Sequence, residues 1–203
     1  MKIQFFTRLF DAFVFKLVIL LKKMQEETTD LALLAGGCFW CTEAVFQRLQ
    51  GVVKVISGFT GGNIKNPPYR EVTTGRTGHA EAVQIHFDPR VVSFRELLEV
   101  FFATHDPTTL NRQGADQGTH YRSAIFYTSK EQKETASLLI EELMVAEAFD
   151  NPIVTEVTEA RPFYVAEEGH HNYYNQHSEQ GYCQFVINPK LAKLQKTFKE
   201  KLK

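Results

Sequence analysis

Two adjacent glycines, Gly36-Gly37, stand between an apolar run and a helix-forming run, and a cysteine follows them directly. Leu31-Ala32-Leu33-Leu34-Ala35 ahead of the pair is a short apolar stretch of strand type. The glycines permit a tight turn and close backbone approach. Behind them, Glu43 to Leu49 offers good helix formers with apolar positions three to four apart. This order predicts a strand that turns into a helix with Cys38 at or just before the first helical turn. Unpaired backbone N–H groups and the positive dipole end would there favour a thiolate, the form of cysteine that acts as a nucleophile. Phe39-Trp40 could wall a small apolar group beside it. A free cysteine can equally be a small buried hydrophobe, and these local features leave both readings open.

The 203 residues, 43% hydrophobic and 23% charged, have an ordinary globular composition. No Pro-, Gly- or Ser-rich linker divides them, and no repeat or low-complexity tract is present. A formal net charge of −1 lacks the basic surplus of a general nucleic-acid binder. Three cysteines do not make the dense disulfide framework of a small secreted domain. A reducing compartment, the cytoplasm, with free or cycling thiols is therefore expected, together with a monomeric state.

Residues 1–23 differ from the rest. Lys2, Arg8, Lys16, Lys22 and Lys23 stand against Asp11, a net +4. The apolar stretch from Phe10 to Leu21 is interrupted by Asp11 and Lys16, too short and too charged for a membrane span. A poor leader, a basic amphipathic helix at a membrane or protein surface, and an extension upstream of a start at Met24 all fit. Residues 24–203 are taken as the folded domain. Export or membrane association stays open only through this segment.

Along that domain, Val52 to Phe59, Glu81 to Phe87, Arg122 to Thr128 and Ile153 to Thr158 read as further strands. Ser93 caps a helix from Phe94 to about Thr104, with Glu96 in capping-box position, and His105-Asp106-Pro107 stops it. Ser129 caps a long helix to about Ala148. Thr108 to Gly118 reads as a functional loop. Arg161 to Gln184 is irregular and rich in aromatic and histidine residues, and a basic amphipathic helix spans Leu191 to Leu202. Strands and helices mix without strict alternation, which predicts an α+β two-layer sandwich, a mixed or antiparallel sheet flanked by helices in a single domain.

Several ordered blocks then converge. Gly37-Cys38-Phe39-Trp40, Pro68-Tyr69-Arg70-Glu71-Val72, Thr77 to Val83 and His105-Asp106-Pro107 are joined by Arg112 to Ser123 and Gly181-Tyr182-Cys183. Together they resemble the A-type peptide methionine sulfoxide reductases from about Leu31 to Cys183. That resemblance implies reduction of methionine-S-sulfoxide, free or in proteins, a repair reaction of oxidative stress that needs no cofactor and no metal. It implies Cys38 as the nucleophile on the sulfoxide sulfur, and Phe39 and Trp40 as the substrate's methyl pocket. Glu81 matches the family's acid, Tyr69 and Tyr121 its donors to the sulfoxide oxygen, and Asp116 a carboxylate that orders the site. Cys183, on a flexible segment from Glu179 to Gln184, matches the resolving thiol, with thioredoxin as the reductant and partner.

One departure stands out. The residue after Phe39-Trp40 is often glycine in the family, whereas Cys41 here completes a Cys-x-x-Cys pair able to close a disulfide at a helix start. Cys41 is therefore a second candidate for the resolving thiol, directly or as a relay to Cys183. Taken singly, Tyr69 and Tyr121 could be core tyrosines, Glu81 a solvent-facing strand residue and Asp116 a turn residue. A thioredoxin-like oxidoreductase using only Cys38 and Cys41 is disfavoured, since the aromatics lie between the cysteines. A zinc module lacks a second Cys-x-x-Cys or closely spaced histidine pair. His170, His171 and His177 are then expected on a solvated, partner-facing segment.

Overall fold

The glycine pair ends a strand, as the sequence requires. In the computed structural model, which describes residues 29–203, β1 (Asp30–Gly36) runs into Gly37 at φ +93° and then into helix α1 (Phe39–Phe46). A side chain at Gly37 would put its Cβ 2.5 Å from that of Gln113, and one at Gly36 would press within 2.8 Å of Phe101. Only glycine tolerates both the left-handed backbone and the close approach.

Strands β2 (Val52–Thr60) and β3 (Ala80–Phe87) follow, separated by a short helix α2 (Tyr69–Val72) behind Pro68. Helix α3 (Phe94–Thr104) carries the expected capping box: the Glu96 N–H donates to Ser93 Oγ, and the Ser93 N–H to Glu96 Oε2. The predicted functional loop is a small hairpin, β4 (Arg112–Gln113) with β5 (Asp116–Gln117). Then come β6 (Ser123–Tyr127), helix α4 (Lys130–Val145) capped by Ser129, β7 (Glu156–Glu159) and β8 (Tyr164–Val165). A single turn α5 (Tyr173–Gln176), a π-turn at Cys183–Ile187 and helix α6 (Asn188–Thr197) complete the described chain.

Among the described residues the main sheet has the order β7-β6-β1-β3-β2-β8. Every pair is antiparallel except β6 with β7, so the sheet is mixed. Side chains alternate between its faces. Ala32, Leu34, Val83, Ile85 and Ile125 join α1 and α3 in the larger core, with Phe46, Leu97 and Phe101 also fully buried there. Leu33, Ala35, Ala82, Ala124 and Phe126 form a thinner cluster on the opposite face under Ala160 and Phe163. The architecture is the expected α+β sandwich.

Three expectations shift. The strand read at Ile153 to Thr158 begins only at Glu156, because the Val154 N–H donates to Pro107 O and the Thr155 hydroxyl meets Ser123 Oγ. The last helix starts at Asn188 with Pro189 in its first turn, where a missing N–H costs nothing. It ends at Thr197, short of Leu202. The segment holding His170, His171 and His177 is not merely solvated: the Asn172 N–H donates to buried Glu43, tying it onto α1. Residues 1–23, read above as an extension, lie outside the described residues. Among the described residues no helix is long and apolar enough to cross a membrane, and no group of three or more His, Cys, Asp or Glu could hold a metal ion.

Candidate active site

Alternation along β3 sets the first feature. Glu81 shares the face of Val83, Ile85 and Phe87, so it points under α1 and is 1% exposed. The Phe39 N–H at the start of α1 donates to Glu81 Oε2 at 3.1 Å, while the buried Oε1 has no partner among the described residues. Desolvation outweighs that hydrogen bond and pushes the carboxyl up to about 8. Near neutral pH this group is a carboxylic acid, and its unpaired oxygen is the one free to carry the proton. Parity with Val83 and Ile85 is the sequence signal that it faces inward.

Cys38 is the N-cap of α1, as expected. It is only 7% exposed, however, and burial pushes its thiol well above the ordinary range, with the Cys41 thiol and the Glu81 carboxyl adding to the effect. Burial, the largest influence on this thiol, thus opposes the dipole-stabilised thiolate expected at the helix start. The charge favours Cys41, brought down to about 7 mainly by a hydrogen bond from Cys38 and further by the Lys190 ammonium. The two sulfurs titrate as a pair.

The remaining candidates gather round that pair. Tyr69 opens α2, its N–H held by Glu167 Oε1 at 2.8 Å. Its phenol is pushed up to about 12 by burial and by Glu81 and Cys38. Tyr121 ends a short 3-10 turn (Thr119–Tyr121), and burial, Glu81 and Cys38 likewise raise it. Both phenols therefore keep their protons and remain donors. Asp116, on β5, accepts from Tyr182 Oη at 2.7 Å, and the same Tyr182 oxygen lies 3.7 Å from Cys41 Sγ.

The aromatic wall is larger than Phe39 and Trp40. Phe39 is buried against Phe59 and Tyr69, with ring centroids 5.8 and 6.2 Å away. One face of Trp40 lies flat on Tyr173 at 3.6 Å, a stacking contact that fixes the indole. His170 stands among Tyr69, Phe39 and Trp40 at 4.3, 5.3 and 5.8 Å. Sequence reasoning assigns no site role to His170, Tyr173 or Tyr182, because no periodic pattern marks their irregular segment. Cys183 is fully buried at the start of the π-turn. All three cysteines are free.

Comparisons with known proteins agree on one family. The model of the family described as peptide methionine sulfoxide reductase matches residues 30–202. Peptide methionine sulfoxide reductase MsrA of Deinococcus radiodurans is 58% identical over 174 residues, 86% of this chain and 84% of the relative. Among solved structures, Mxr1 from Saccharomyces cerevisiae in reduced form aligns with TM-score 0.71 and 33% identity, covering 77% of this chain and 90% of that one. Mxr1 in complex with Trx2 aligns with TM-score 0.50 and 26% identity, over 72% and 86% of the two chains. Measured by sequence along almost all of its described length and by the shape of its sheet, the chain belongs to the peptide methionine sulfoxide reductase family.

Proposed function

We propose that the chain reduces methionine-S-sulfoxide, free and in proteins, with Cys38 as the sulfur that takes the oxygen. The observation that carries this reading is Glu81: a buried acid, protonated near neutral pH, with one oxygen on the Cys38 helix and the other unpaired. Attack on the sulfoxide sulfur builds negative charge on its oxygen, which then needs a proton and hydrogen-bond donors. Glu81 supplies the proton, and Tyr69 and Tyr121 donate to the same oxygen. The proton of Cys38 replaces the one Glu81 gives. The attack forms a bond between the two sulfurs; as the oxygen passes to Cys38, that bond and the substrate S–O bond break, so the Cys38 thiol and the sulfoxide become a Cys38 sulfenic acid and methionine, cysteine oxidised by two electrons and the sulfoxide reduced by two.

The methyl group lies against Phe39 and Trp40, a wall that rejects the polar arms of the substrate and so sets the configuration accepted at sulfur. Asp116 holds Tyr182 against the thiol pair. A second thiol, Cys183 or Cys41, condenses with the sulfenic acid. Thioredoxin returns the disulfide to thiols, a reading supported by the Trx2 complex of Mxr1. The two electrons come from thiols throughout, so the chemistry calls on neither a metal nor a flavin. Three free cysteines suit a reducing compartment such as the cytoplasm.

The test is a single turnover. Reduced enzyme without reductant, given one equivalent of methionine-S-sulfoxide, should release one equivalent of methionine, and Cys38→Ser none. Equal release from the R epimer, or release by Cys38→Ser, would contradict the reading.

A further inference from the structure

We infer that Glu43 is a positioning residue of the substrate pocket: from α1 it fixes the turn that lays Tyr173 on Trp40, and so holds the wall that meets the methyl group. This rests on the reading above, in which Trp40 is part of that wall. No step of the reaction as written uses Glu43, although it is an acidic residue only 1% exposed.

Trp40 and Glu43 stand three apart in α1, a spacing that puts two side chains on one helical face. That face meets the turn at Asn172 and Tyr173. The Asn172 N–H donates to Glu43 Oε1 at 3.0 Å, with the Tyr173 N–H as a second donor to the same carboxyl. Asn172 is in the left-handed conformation at φ +53°, which swings successive N–H groups towards one acceptor. The Asn172 side chain does not cap α5, and the unpaired N–H groups at a helix start need acceptors. Glu43 provides one from another helix.

Burial makes this contact the decisive one. A carboxyl taken out of water is costly unless its oxygens are hydrogen-bonded, and burial raises the Glu43 pKa against the pull of the two N–H groups and His171. Carboxyl and turn therefore satisfy each other, and separating them would leave both unpaired. Two further ties run from the end of α1: Arg48 Nη2 donates to Asn175 Oδ1 at 3.3 Å, and Asn175 Nδ2 to Gln47 Oε1 at 3.1 Å. Both are exposed, where water can replace either partner.

Tyr173 carries the consequence to the pocket. Its ring lies 3.6 Å from that of Trp40 and 4° from parallel, and His177 stacks on Tyr173 at 4.4 Å. Trp40 Nε1 has no hydrogen-bond partner among the described residues, so stacking, rather than a polar contact of its own, orients the indole. Loosening the turn frees the indole and costs the pocket its shape. Cys38 and Glu81 keep theirs, because the Phe39 N–H bond to Glu81 does not involve the turn. Weaker binding with unchanged chemistry at saturation is the signature of such a loss.

The experiment follows the first turnover of the full-length reduced chain by rapid quench at rising concentrations of free methionine-S-sulfoxide. Melting curves and the emission of Trp40, the single tryptophan, are recorded alongside. Glu43→Ala should raise the half-saturating concentration about tenfold, the ratio of one lost buried hydrogen bond, keep the saturating rate, and move the emission to longer wavelength. Glu43→Gln, which keeps an acceptor at the same reach, should restore binding and emission. Leu139→Ala, which empties a buried position of α4, should lower Tm and move neither. Glu43→Asp, one methylene short, keeps the test decisive where Glu43→Ala does not fold, and should shift binding and emission in the same direction. In a Tyr173→Ala background Glu43→Asp should add less than about twofold, the mark of two residues acting as one unit. Unmoved binding or emission in the folded Glu43→Ala or Glu43→Asp would overturn the assignment. So would a loss in the saturating rate alone, no rescue by Glu43→Gln, the same shifts in Leu139→Ala, or the full effect without Tyr173. Emission needs no substrate, which separates the two readings: a wild type that releases no methionine sinks the proposed function, and an active Glu43→Ala that binds as tightly as the wild type sinks only the role of Glu43.

Discussion

The Phe39 N–H donates to Glu81 Oε2 at 3.1 Å, so the first turn of α1 and the buried acid of β3 are one hydrogen-bonded unit. The helix start that carries Cys38 and the buried Glu81 carboxyl are thereby fixed to each other through the backbone.

Replacing that acid should remove the proton while keeping the shape. Glu81→Gln is expected to slow methionine release in a single turnover by about 100- to 1,000-fold, the usual loss for a group that meets developing negative charge. Rapid-quench kinetics would read it. In the wild type the same rate should fall as pH rises through about 8, where Glu81 loses its proton. The Glu81→Gln variant should lack that alkaline limb; an unchanged rate would remove Glu81 from the chemistry.

The same group has a sign in stability. Its folded pKa, about 8, lies above the ordinary carboxyl value of 4.5. Below about 4.5 both folded and unfolded chains are protonated there, and nothing is lost. Between 4.5 and 8 the unfolded chain ionises while the folded one holds its proton, so stability falls as pH rises. Glu81→Gln should therefore raise Tm at pH 8 relative to the wild type, with the gain disappearing near pH 4.5. A gain independent of pH would contradict the buried-acid assignment.

Gly37→Ala should destabilise by about 1–3 kcal/mol, since it forces a side chain into positive φ. Its Cβ would also meet Gln113 at 2.5 Å. Urea unfolding measures the cost, and methionine release should drop because Cys38 is the next residue. Wild-type stability would show that the turn can relax.

Trp40→Ala should raise KM for free methionine sulfoxide by about tenfold or more, a loss of the order of one buried aromatic contact. It also abolishes the stack on Tyr173 at 3.6 Å, a pair worth about 0.5–1.5 kcal/mol beyond its area. Steady-state kinetics and the melting curve read the two effects separately. An unchanged KM would place the methyl group elsewhere.

How much of this is legible in the sequence depends on what holds each element. The strands β1 and β3 and the capped helix α3 declare themselves because alternation and a capping box are local signals. Cys38 falls at the N-cap because a glycine pair can be used in few other ways. Its acidity is a different matter: a helix terminus is visible in sequence, whereas the burial that raises the thiol comes from neighbours far along the chain. The same reason hides the 167–184 segment, whose short turns are set by contacts such as Asn172 N–H to Glu43, 129 residues apart in sequence. Glu81 lies between these cases. Its parity with Val83 and Ile85 points inward, and only the fold reveals that α1 closes over it.

The most direct measurement follows the oxygen atom itself. Sulfoxide labelled with heavy oxygen is given once to a reduced Cys41→Ser/Cys183→Ser double variant, and the intact chain and its peptides are weighed without chemical trapping. The label should appear on Cys38 as a sulfenic acid, one atom per chain, alongside one equivalent of unlabelled methionine. Heavy oxygen found in water, with Cys38 unmodified, would contradict transfer to that sulfur.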